Sequence, residues 1–257
     1  MRIARISLDG TPAFGLVEGA PGSETVTVLA GHPFGVIERT ERTVDLADVR
    51  LLAPVLPSKV VGVGRNYAEH VREMGGEIPD EPVLFLKPST SVIGPGDPIP
   101  YPMLSHEVHH EGELAVVIGR LIREVPIQRA FEAVLGYTCG NDVTARDLQR
   151  SDAQWTRAKG FDGFCPLGPW IETELDPSDV ALTCSVNGEL RQSSRTSLLM
   201  RGVAELVAFV SAVMTLLPGD VILTGTPAGV GPLHVGDTVS VEVEGIGTLR
   251  NPVVGDD

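Results

Sequence analysis

The spacing of hydrophobic residues predicts a chain with many short strands. Alternating or short unbroken apolar segments cover residues 2–8, 13–18 and 25–29, and glycines and prolines separate them. Residues 111–118 and 238–244 have the same character. We therefore predict a strand-rich α+β fold.

Few segments have the spacing of a helix. Residues 68–74 form a short candidate helix that ends at Gly75-Gly76, a cap and a hinge. Two further candidates place apolar residues three or four positions apart, as amphipathic helices do. The first comprises Ile127, Ala130, Phe131 and Val134 and ends at Gly136; the second comprises Val203, Leu206, Val207, Val210 and Met214.

A change in pattern near residue 52 predicts two domains. Residues 1–52 form a small N-terminal β domain in which no residue indicates chemistry. A connector that contains two prolines, residues 51–57, leads into the main domain, residues 53–257. We therefore look for the functional site in the second domain.

The composition of the 257 residues narrows the class of protein. The formal net charge is −14 and the pI is about 4.8, so a nucleic-acid backbone would be repelled. Cys139, Cys165 and Cys184 form no CxxC pair, which argues against a disulfide framework and a cysteine zinc site. The chain has no leader pattern and no apolar run of roughly 18 residues. We predict a cytoplasmic protein that binds neither nucleic acid nor membrane.

Glu111 and Glu113 are the first candidates for a functional site. They lie two residues apart on a predicted strand, so their side chains share a face with Ala115 and Val117. Neighbouring carboxylates raise each other's pKa, and a hard divalent cation bound between them removes that penalty. The competing interpretation is an exposed strand face with two solvated acids, which the apolar run from Leu114 onward weakens.

Asp142 and the residues after it are the second candidate. Asp142 follows a predicted strand over residues 137–141, at a sheet edge where functional groups are common. Arg146 lies four residues later and Gln149 three after that, which places them on one face if the segment is helical. Lys159 near a cation would neutralise a developing enolate. Alternatively, the segment is an ordinary capped turn and the lysine lies on the surface.

His70, Glu73 and Thr226 complete the candidates. His70 and Glu73 are one turn apart on the first candidate helix and would form a dyad that moves protons. Thr226 lies in a glycine-rich turn that lacks the lysine of a phosphate-binding loop. Its hydroxyl would bind a substrate oxygen. The alternatives are a solvated helix face and a plain turn.

The candidate residues belong to a series of motifs that follow one another in a fixed order. The motifs are Gly64-Arg65-Asn66-Tyr67 with His70 and Glu73, Phe85-Leu86-Lys87-Pro88, Glu111-Gly112-Glu113-Leu114, Asn141-Asp142 through Arg146-Asp147-Leu148-Gln149, Lys159, Gly168-Pro169-Trp170 and residues 219–227. Each motif alone is ordinary, but the full set in one order is specific. This series resembles the fumarylacetoacetate hydrolase family over residues 57–254. Residues 1–52 resemble the short N-terminal domain of a bacterial branch that includes acylpyruvases and hydroxyhepta-diene-dioate isomerases.

The resemblance implies a fold, a cofactor and a role for each candidate residue. The implied fold is a mixed β-roll or barrel catalytic domain that forms a homodimer. The implied cofactor is magnesium or manganese, with calcium as an occupant in crystals. The implied roles are metal binding by Glu111, Glu113 and Asp142, catalysis by His70, Glu73 and Lys159, and substrate binding by Arg146, Gln149 and Thr226.

One position departs from the family pattern. The family often has an acidic or aromatic pair before the two glutamates, whereas this chain has His109-His110. His109 shares strand parity with the glutamates, so it would be a base or a ligand beside the metal if the strand extends back that far. The alternative is that these histidines and His106 lie in an exposed loop.

The leading hypothesis is a hydrolase that cleaves a C–C bond in 2,4-dioxo acids of the acylpyruvate or fumarylpyruvate type, through a metal-stabilised enolate. The same enolate serves isomerisation of 2-hydroxyhepta-2,4-diene-1,7-dioate or 5-carboxymethyl-2-hydroxymuconate, in the catabolism of aromatic compounds. It also serves decarboxylation of oxaloacetate-type acids. A sugar-acid dehydratase and a non-catalytic cation-binding module are further alternatives. The predicted partner is a small-molecule 2-oxo acid.

Overall fold

The structure is a computed structural model that describes residues 1–255. Residues 256 and 257, the end of the predicted second domain, lie outside the described residues. The N-terminal elements are β1 (Arg2–Leu8), β2 (Thr11–Glu18), β3 (Thr25–Leu29), β4 (Arg39–Asp45) and β5 (Arg50–Leu52). The elements that follow are β6 (Val60–Gly64), α1 (Ala68–Glu73), β7 (Val83–Lys87), β8 (Val92–Ile93), β9 (Ile99–Tyr101), β10 (Val108–His110) and β11 (Gly112–Ile118).

The second half of the chain continues the same strand-rich pattern. Its first elements are β12 (Val134–Asn141), β13 (Thr144–Ala145), α2 (Arg146–Ser151), α3 (Thr156–Lys159) and β14 (Cys165–Glu172). Its last elements are β15 (Ala181–Val186), β16 (Glu189–Arg195), α4 (Val203–Val213), β17 (Val221–Leu223), β18 (Gly231–Pro232), β19 (Thr238–Val243) and β20 (Gly247–Gly255). Short 3-10 helices lie at Leu46–Asp48, Ser89–Ser91, Ile127–Ala133 and Thr196–Leu198. The predicted strand-rich α+β fold is confirmed.

The strands form three sheets within the described residues. The largest has the order β4-β3-β2-β1-β14-β12-β11-β17-β6-β7, with β5 beside β1 and β8 beside β14. A five-stranded sheet has the order β16-β15-β19-β20-β9, and a three-stranded sheet the order β13-β10-β18. Most neighbours are antiparallel, and β17 with β6 is one of the parallel pairs. No helix among residues 1–255 is both long and apolar enough to cross a membrane.

The N-terminal strands are continuous with the rest of the large sheet. Strand β1 pairs with β14, so that Arg2 lies opposite Glu172 and Ile3 opposite Ile171. Ile3 also belongs to the same buried cluster as Ala115 of β11. The division into residues 1–52 and 53–257 therefore stays a prediction about the sequence, because strand pairing and packing cross it.

Strand β11 is the central element for the site. It pairs with β12 on one side and β17 on the other, and all seven of its residues are buried. Leu114, Val116 and Ile118 pack into one core, whereas Ala115 and Val117 pack into the other. This confirms the predicted alternation of faces. The strand begins at Gly112, so Glu111 lies just before it rather than in it.

The first amphipathic helix was predicted wrongly. Residues 127–133 form a 3-10 helix, and Val134 begins strand β12. The buried residues Ala130 and Ala133 are three positions apart, which matches the three residues per turn of a 3-10 helix. Gly136 lies inside β12, where a Cβ atom would come within 2.4 Å of the Glu172 carbonyl oxygen of β14. The glycine therefore allows two strands to approach closely and ends no helix.

The other two helices agree with the sequence. Helix α4 buries Val203, Leu206, Val207 and Val210 on one face. Helix α1 ends before Gly75, which has a φ of +66° and thus the left-handed conformation of a helix cap.

All three cysteines are free and buried. Burial raises the pKa of the Cys139, Cys165 and Cys184 thiols to about 12. We expect a thiol reagent at pH 8 to leave the native protein unmodified and to modify three thiols after unfolding. A count by mass spectrometry checks this, and rapid labelling of the native protein would contradict it.

Candidate metal centre and active site

The carboxylates of Glu111, Glu113 and Asp142 converge at one point. One oxygen from each lies within 4.8 Å of the others, and all three residues are at most 4% exposed. Strand register explains the convergence, because Gly112 of β11 lies opposite Asn141 of β12. Asp142 comes directly after Asn141, and its backbone N–H donates to the Glu111 carbonyl oxygen at 2.9 Å.

Three cationic side chains surround two of these carboxylates. Lys159 Nζ donates to Glu111 Oε2 at 2.7 Å and to Asp142 Oδ2 at 2.5 Å. Lys87 Nζ donates to Asp142 Oδ1 at 2.5 Å, and the Arg146 guanidinium donates to Glu111 Oε1. Burial alone would lower the pKa of Lys159, but the charges of Asp142 and Glu111 outweigh it and raise that pKa. Lys159 is therefore a cation.

Lys87 belongs to one of the quoted motifs, but no role in the site was predicted for it. Its side chain is fully buried, and it also donates to the Val143 carbonyl oxygen at 3.2 Å. Burying a lysine without a partner costs folding free energy. The lysine at the end of the short apolar run of β7 therefore indicates a buried ion pair, although it does not show the partner. Its partner, Asp142, lies 55 positions later, and spacing along the chain does not reveal such a pair.

Glu113 differs from the other two acids because no cationic side chain among residues 1–255 forms an ion pair with it. Its Oε2 accepts a hydrogen bond from the Gly225 backbone N–H at 2.6 Å. Burial raises the pKa of Glu113 well above its usual value, and the charges of Asp142 and Glu111 raise it further. Burial also opposes ionisation of Glu111, but Arg146 and Lys159 outweigh it and hold the pKa of that carboxyl well below its usual value.

This asymmetry fits a divalent cation. The Glu113 carboxylate is buried among negative charges, and a cation shared by the three acids would offset its cost. All three donors are carboxylate oxygens, the ligand type that magnesium and manganese take. The residues present therefore suit the predicted cofactor.

A cavity of about 270 Å³ opens onto the three acids. Its wall also includes apolar side chains, among them Val63, Phe85 and Trp155. Glu73 is the one predicted site residue that is not part of its lining. The other eight all line it: His70, Glu111, Glu113, Asp142, Arg146, Gln149, Lys159 and Thr226.

The His70–Glu73 pair links helix α1 to the loop after β17. His70 Nδ1 lies 3.2 Å from Glu73 Oε2, and Glu73 Oε1 accepts from the Gly229 backbone N–H at 2.9 Å. A carboxylate only accepts, so this contact holds a proton on Nδ1 and leaves Nε2 as the basic atom of the ring. Helix α1 is thereby held against the loop that carries Thr226.

The segment after Asp142 is helical, as α2, so the condition under which Arg146 and Gln149 share a face is met. Arg146 and Gln149 lie on one face of it, and Arg146 Nη1 donates to Gln149 Oε1 at 2.8 Å. Arg146 also forms an ion pair with Glu111, so its guanidinium bridges Glu111 and Gln149. Both residues therefore lie where the sequence placed them relative to the acids.

The histidines before the glutamates lie in a strand, so the exposed-loop interpretation was wrong for two of the three. His109 and His110 belong to β10 and pair with β18, whereas the His106 side chain is 88% exposed. Burial, followed by the charge of Arg146, lowers the pKa of His109 to about 4. His110 is fully buried and lies 3.2 Å from Gln192, a residue with no predicted role.

Two known domains match the chain. Residues 59–254 match the family described as fumarylacetoacetate (FAA) hydrolase C-terminal. Residues 1–54 match the family described as Rv2993c-like, N-terminal.

Curated relatives match along most of their own length. Protein Rv2993c of Mycobacterium tuberculosis is 57% identical, over 99% of this chain and 98% of the relative. The mitochondrial oxaloacetate tautomerase FAHD2B of Bos taurus is 46% identical, over 81% of this chain and 70% of the relative.

Solved structures share the whole fold. A 5-carboxymethyl-2-hydroxymuconate delta-isomerase from Mycobacterium smegmatis is 60% identical, with a TM-score of 0.94 and full coverage of both chains. A maleylpyruvate hydrolase from Sphingobium sp. SYK-6, solved with manganese(II) and pyruvate, is 30% identical, with a TM-score of 0.82 and full coverage of both chains. These matches show that the chain is an enzyme of the fumarylacetoacetate hydrolase family, with a strand-rich catalytic region and an Rv2993c-like N-terminal segment.

Proposed function

We propose that this protein is a divalent-metal-dependent enzyme that interconverts enol and keto, or double-bond, isomers of small 2-oxo acids. The observation that carries the proposal is the buried triad of Glu111, Glu113 and Asp142 at the base of a cavity that Lys159 and His70 also line. A divalent cation held by the triad would supply Lewis-acid stabilisation of an enolate.

The charge balance of the site supports a dianionic ligand. Three cations, Lys87, Arg146 and Lys159, contact Glu111 and Asp142, so their number equals that of the three acids. A divalent cation would add two positive charges to the site, and a ligand with a single negative charge would neutralise only one of them. A 2-oxo acid in its enolate form carries two negative charges on adjacent oxygens and restores neutrality.

Lys159 and His70 have separate tasks in this proposal. Lys159 stays protonated between two carboxylates, and its charge favours the enolate over the ketone. His70 presents a basic Nε2 because Glu73 holds the proton on Nδ1, so it can carry the proton that moves between carbon and oxygen. Val63, Phe85 and Trp155 exclude water from part of the cavity wall.

Hydrolysis of 2,4-dioxo acids is the second candidate. The same His70 Nε2 would activate a water molecule, and a maleylpyruvate hydrolase is among the structural neighbours. We rank it second because the relatives that carry an activity in their names and are at least 46% identical are two isomerases and a tautomerase, whereas a fumarylacetoacetate hydrolase from Exiguobacterium antarcticum is 42% identical. Decarboxylation of oxaloacetate-type acids would use the same enolate. Formation of a homodimer, which the family resemblance implies, stays a prediction.

A turnover screen with magnesium and with manganese tests the proposal. The substrates are enol-oxaloacetate, an unsaturated hydroxy-diacid, an acylpyruvate and a sugar acid. We expect the absorbance of enol-oxaloacetate or of the unsaturated hydroxy-diacid to fall as the enol is converted. We expect no release of pyruvate from any of the four substrates. Release of pyruvate from the acylpyruvate, without tautomerisation, would reject isomerisation in favour of hydrolysis.

Replacing His70 with asparagine tests its role in proton transfer. We expect kcat to fall on the order of 10², because a positioned acid–base group typically contributes at least that factor. Manganese affinity, measured by calorimetry, should change little, because within residues 1–255 no hydrogen bond or ion pair joins His70 to the three acids. Glu69→Gln, at an exposed position of the same helix α1, is the matched control, and an unchanged kcat in His70→Asn would refute the role.

A further inference from the structure

Three hydrogen bonds form a closed ring around Gly112, the residue between the two glutamates. The Gly112 N–H donates to Gln192 Oε1 at 2.9 Å, and Gln192 Nε2 donates to Thr226 Oγ1 at 2.7 Å. Thr226 Oγ1 donates to the Gly112 carbonyl oxygen at 2.9 Å. Gln192 is fully buried and Thr226 is 4% exposed, so water does not compete for these groups.

The direction of each bond in the ring is determined. A backbone N–H only donates, so the atom of Gln192 that faces Gly112 must be its oxygen. The amide nitrogen then faces Thr226, and it also donates to the Pro227 carbonyl oxygen at 2.8 Å. A carbonyl only accepts, so the Thr226 hydroxyl must be the donor to Gly112.

This leaves the Thr226 hydroxyl with one free position. A hydroxyl has one hydrogen and two lone pairs. The hydrogen goes to Gly112 and one lone pair accepts from Gln192. The remaining lone pair belongs to a side chain that lines the cavity. Towards a ligand, this hydroxyl is an acceptor and not a donor.

His110 supports the ring from outside. Its Nδ1 lies 3.2 Å from Gln192 Oε1 and 3.4 Å from Cys184 Sγ. An amide oxygen only accepts, so Nδ1 carries the hydrogen and gives Gln192 Oε1 a second donor. A rotation of the Gln192 amide would therefore break bonds to both Gly112 and His110.

We propose that Gln192, held by His110, is a positioning residue that presents the Thr226 hydroxyl to the ligand as a hydrogen-bond acceptor. The ligand group that fits there is a donor, such as the hydroxyl of an enol. A keto oxygen has no hydrogen to give, so this contact favours the enol form. The inference rests on the proposed function and names the feature by which the site distinguishes the two tautomers.

Two small ligands of nearly equal shape separate donor from acceptor. Oxalate has only acceptor oxygens, whereas oxamate replaces one oxygen with an NH₂ group that donates. Each ligand is compared with itself across the variants, so their difference in charge cancels. The variants are Thr226→Val, which removes the hydroxyl, Thr226→Ser, which keeps it, and Gln192→Met, which keeps the length of the side chain without its hydrogen bonds.

The experiment is calorimetric titration of each ligand into the manganese-loaded full chain. We expect Thr226→Val to weaken oxamate about fivefold to tenfold, the effect of one neutral hydrogen bond, and to leave oxalate unchanged. Thr226→Ser should bind both ligands like the wild type. Gln192→Met should match Thr226→Val, and the double variant should lose no more than either single variant, because the two side chains act as one unit.

Three results would overturn the inference. The first two would leave the proposed function intact, and the third would reject it as well. Equal weakening of oxalate and oxamate in Thr226→Val would show that the hydroxyl donates. Normal oxamate binding in a folded Gln192→Met would show that Gln192 does not position the Thr226 hydroxyl. If Gln192→Met does not fold, the Thr226 variants still decide whether that hydroxyl is an acceptor. Failure of the wild type to bind either ligand with manganese would reject the proposed function itself, and the inference with it.

Discussion

Glu113→Gln is expected to abolish turnover while making the metal-free protein more stable to heat. One oxygen of each of the three carboxylates lies within 4.8 Å of the others, and Glu113 is the acid that has no ion pair in the part of the chain that the structure describes. Glutamine keeps the shape and removes the buried charge, so the metal-free protein loses a repulsion. Relieving about 1 kcal/mol would raise the Tm by about 2 to 4 °C in a chain of this size.

The same change should remove the metal. Replacing a residue that only hydrogen-bonds to a metal ligand typically weakens metal binding by about 10-fold to 100-fold. Loss of one of the three carboxylate ligands themselves is therefore expected to weaken manganese binding by more than about 100-fold. Turnover should fall by about 10³ or more, since Lewis-acid stabilisation contributes several kcal/mol. Calorimetry and steady-state kinetics measure both, with Glu205→Gln, at a half-exposed position of α4 remote from the three acids in the sequence, as the control. Tight metal binding by Glu113→Gln would refute the ligand assignment.

The pH dependence of the metal-free protein gives a second readout. The pKa of Glu113 is raised in the folded protein, so the folded state holds this proton more tightly than the unfolded state. This contribution to stability is complete below the ordinary value of 4.5 and is lost as the pH rises through the raised pKa. Glu113→Gln should not show that loss, and bound manganese should suppress it in the wild type.

Lys159→Met is expected to reduce kcat by about 10² to 10³ without loss of metal affinity. Removing one group that stabilises a developing oxyanion typically has that effect. Lys159 donates to Glu111 and Asp142, so without metal it neutralises the same oxygens that a cation would use. Its removal therefore destabilises the metal-free protein and leaves the site free for the metal.

Kinetics and melting curves with and without manganese check this prediction. The expected pattern is a lower Tm in the metal-free variant and recovery of most of the loss when manganese is added. Arg157→Met is the matched control, because Arg157 lies on the same helix α3 and pairs with Asp152 at the surface. Wild-type turnover by Lys159→Met would exclude the lysine from catalysis.

Local patterns predicted the strands around the site well. The alternation along β11 follows from period-two burial on both faces, and it placed Ala115 and Val117 opposite Leu114 and Val116 correctly. The same period put the two glutamates on one side of the chain. Each acid alone also fitted an exposed strand face or a turn, and only the ordered set of motifs favoured a single site.

Contacts between distant segments were beyond local patterns. Lys87 reaches Asp142 across 55 positions, and Gln192 reaches Gly112 across 80. Neither side chain has a partner nearby in the sequence that marks its role. The 3-10 helix over residues 127–133 was misjudged because a spacing of three or four apolar positions also suits an α-helix.

The location of bound manganese is the observation on which the whole account depends. Anomalous diffraction from crystals grown with manganese and oxalate measures it. The account predicts one strong peak at bonding distance from a carboxylate oxygen of each of Glu111, Glu113 and Asp142, in contact with oxalate in the cavity. A peak bound elsewhere, or no peak between these three side chains at saturating manganese, would contradict it.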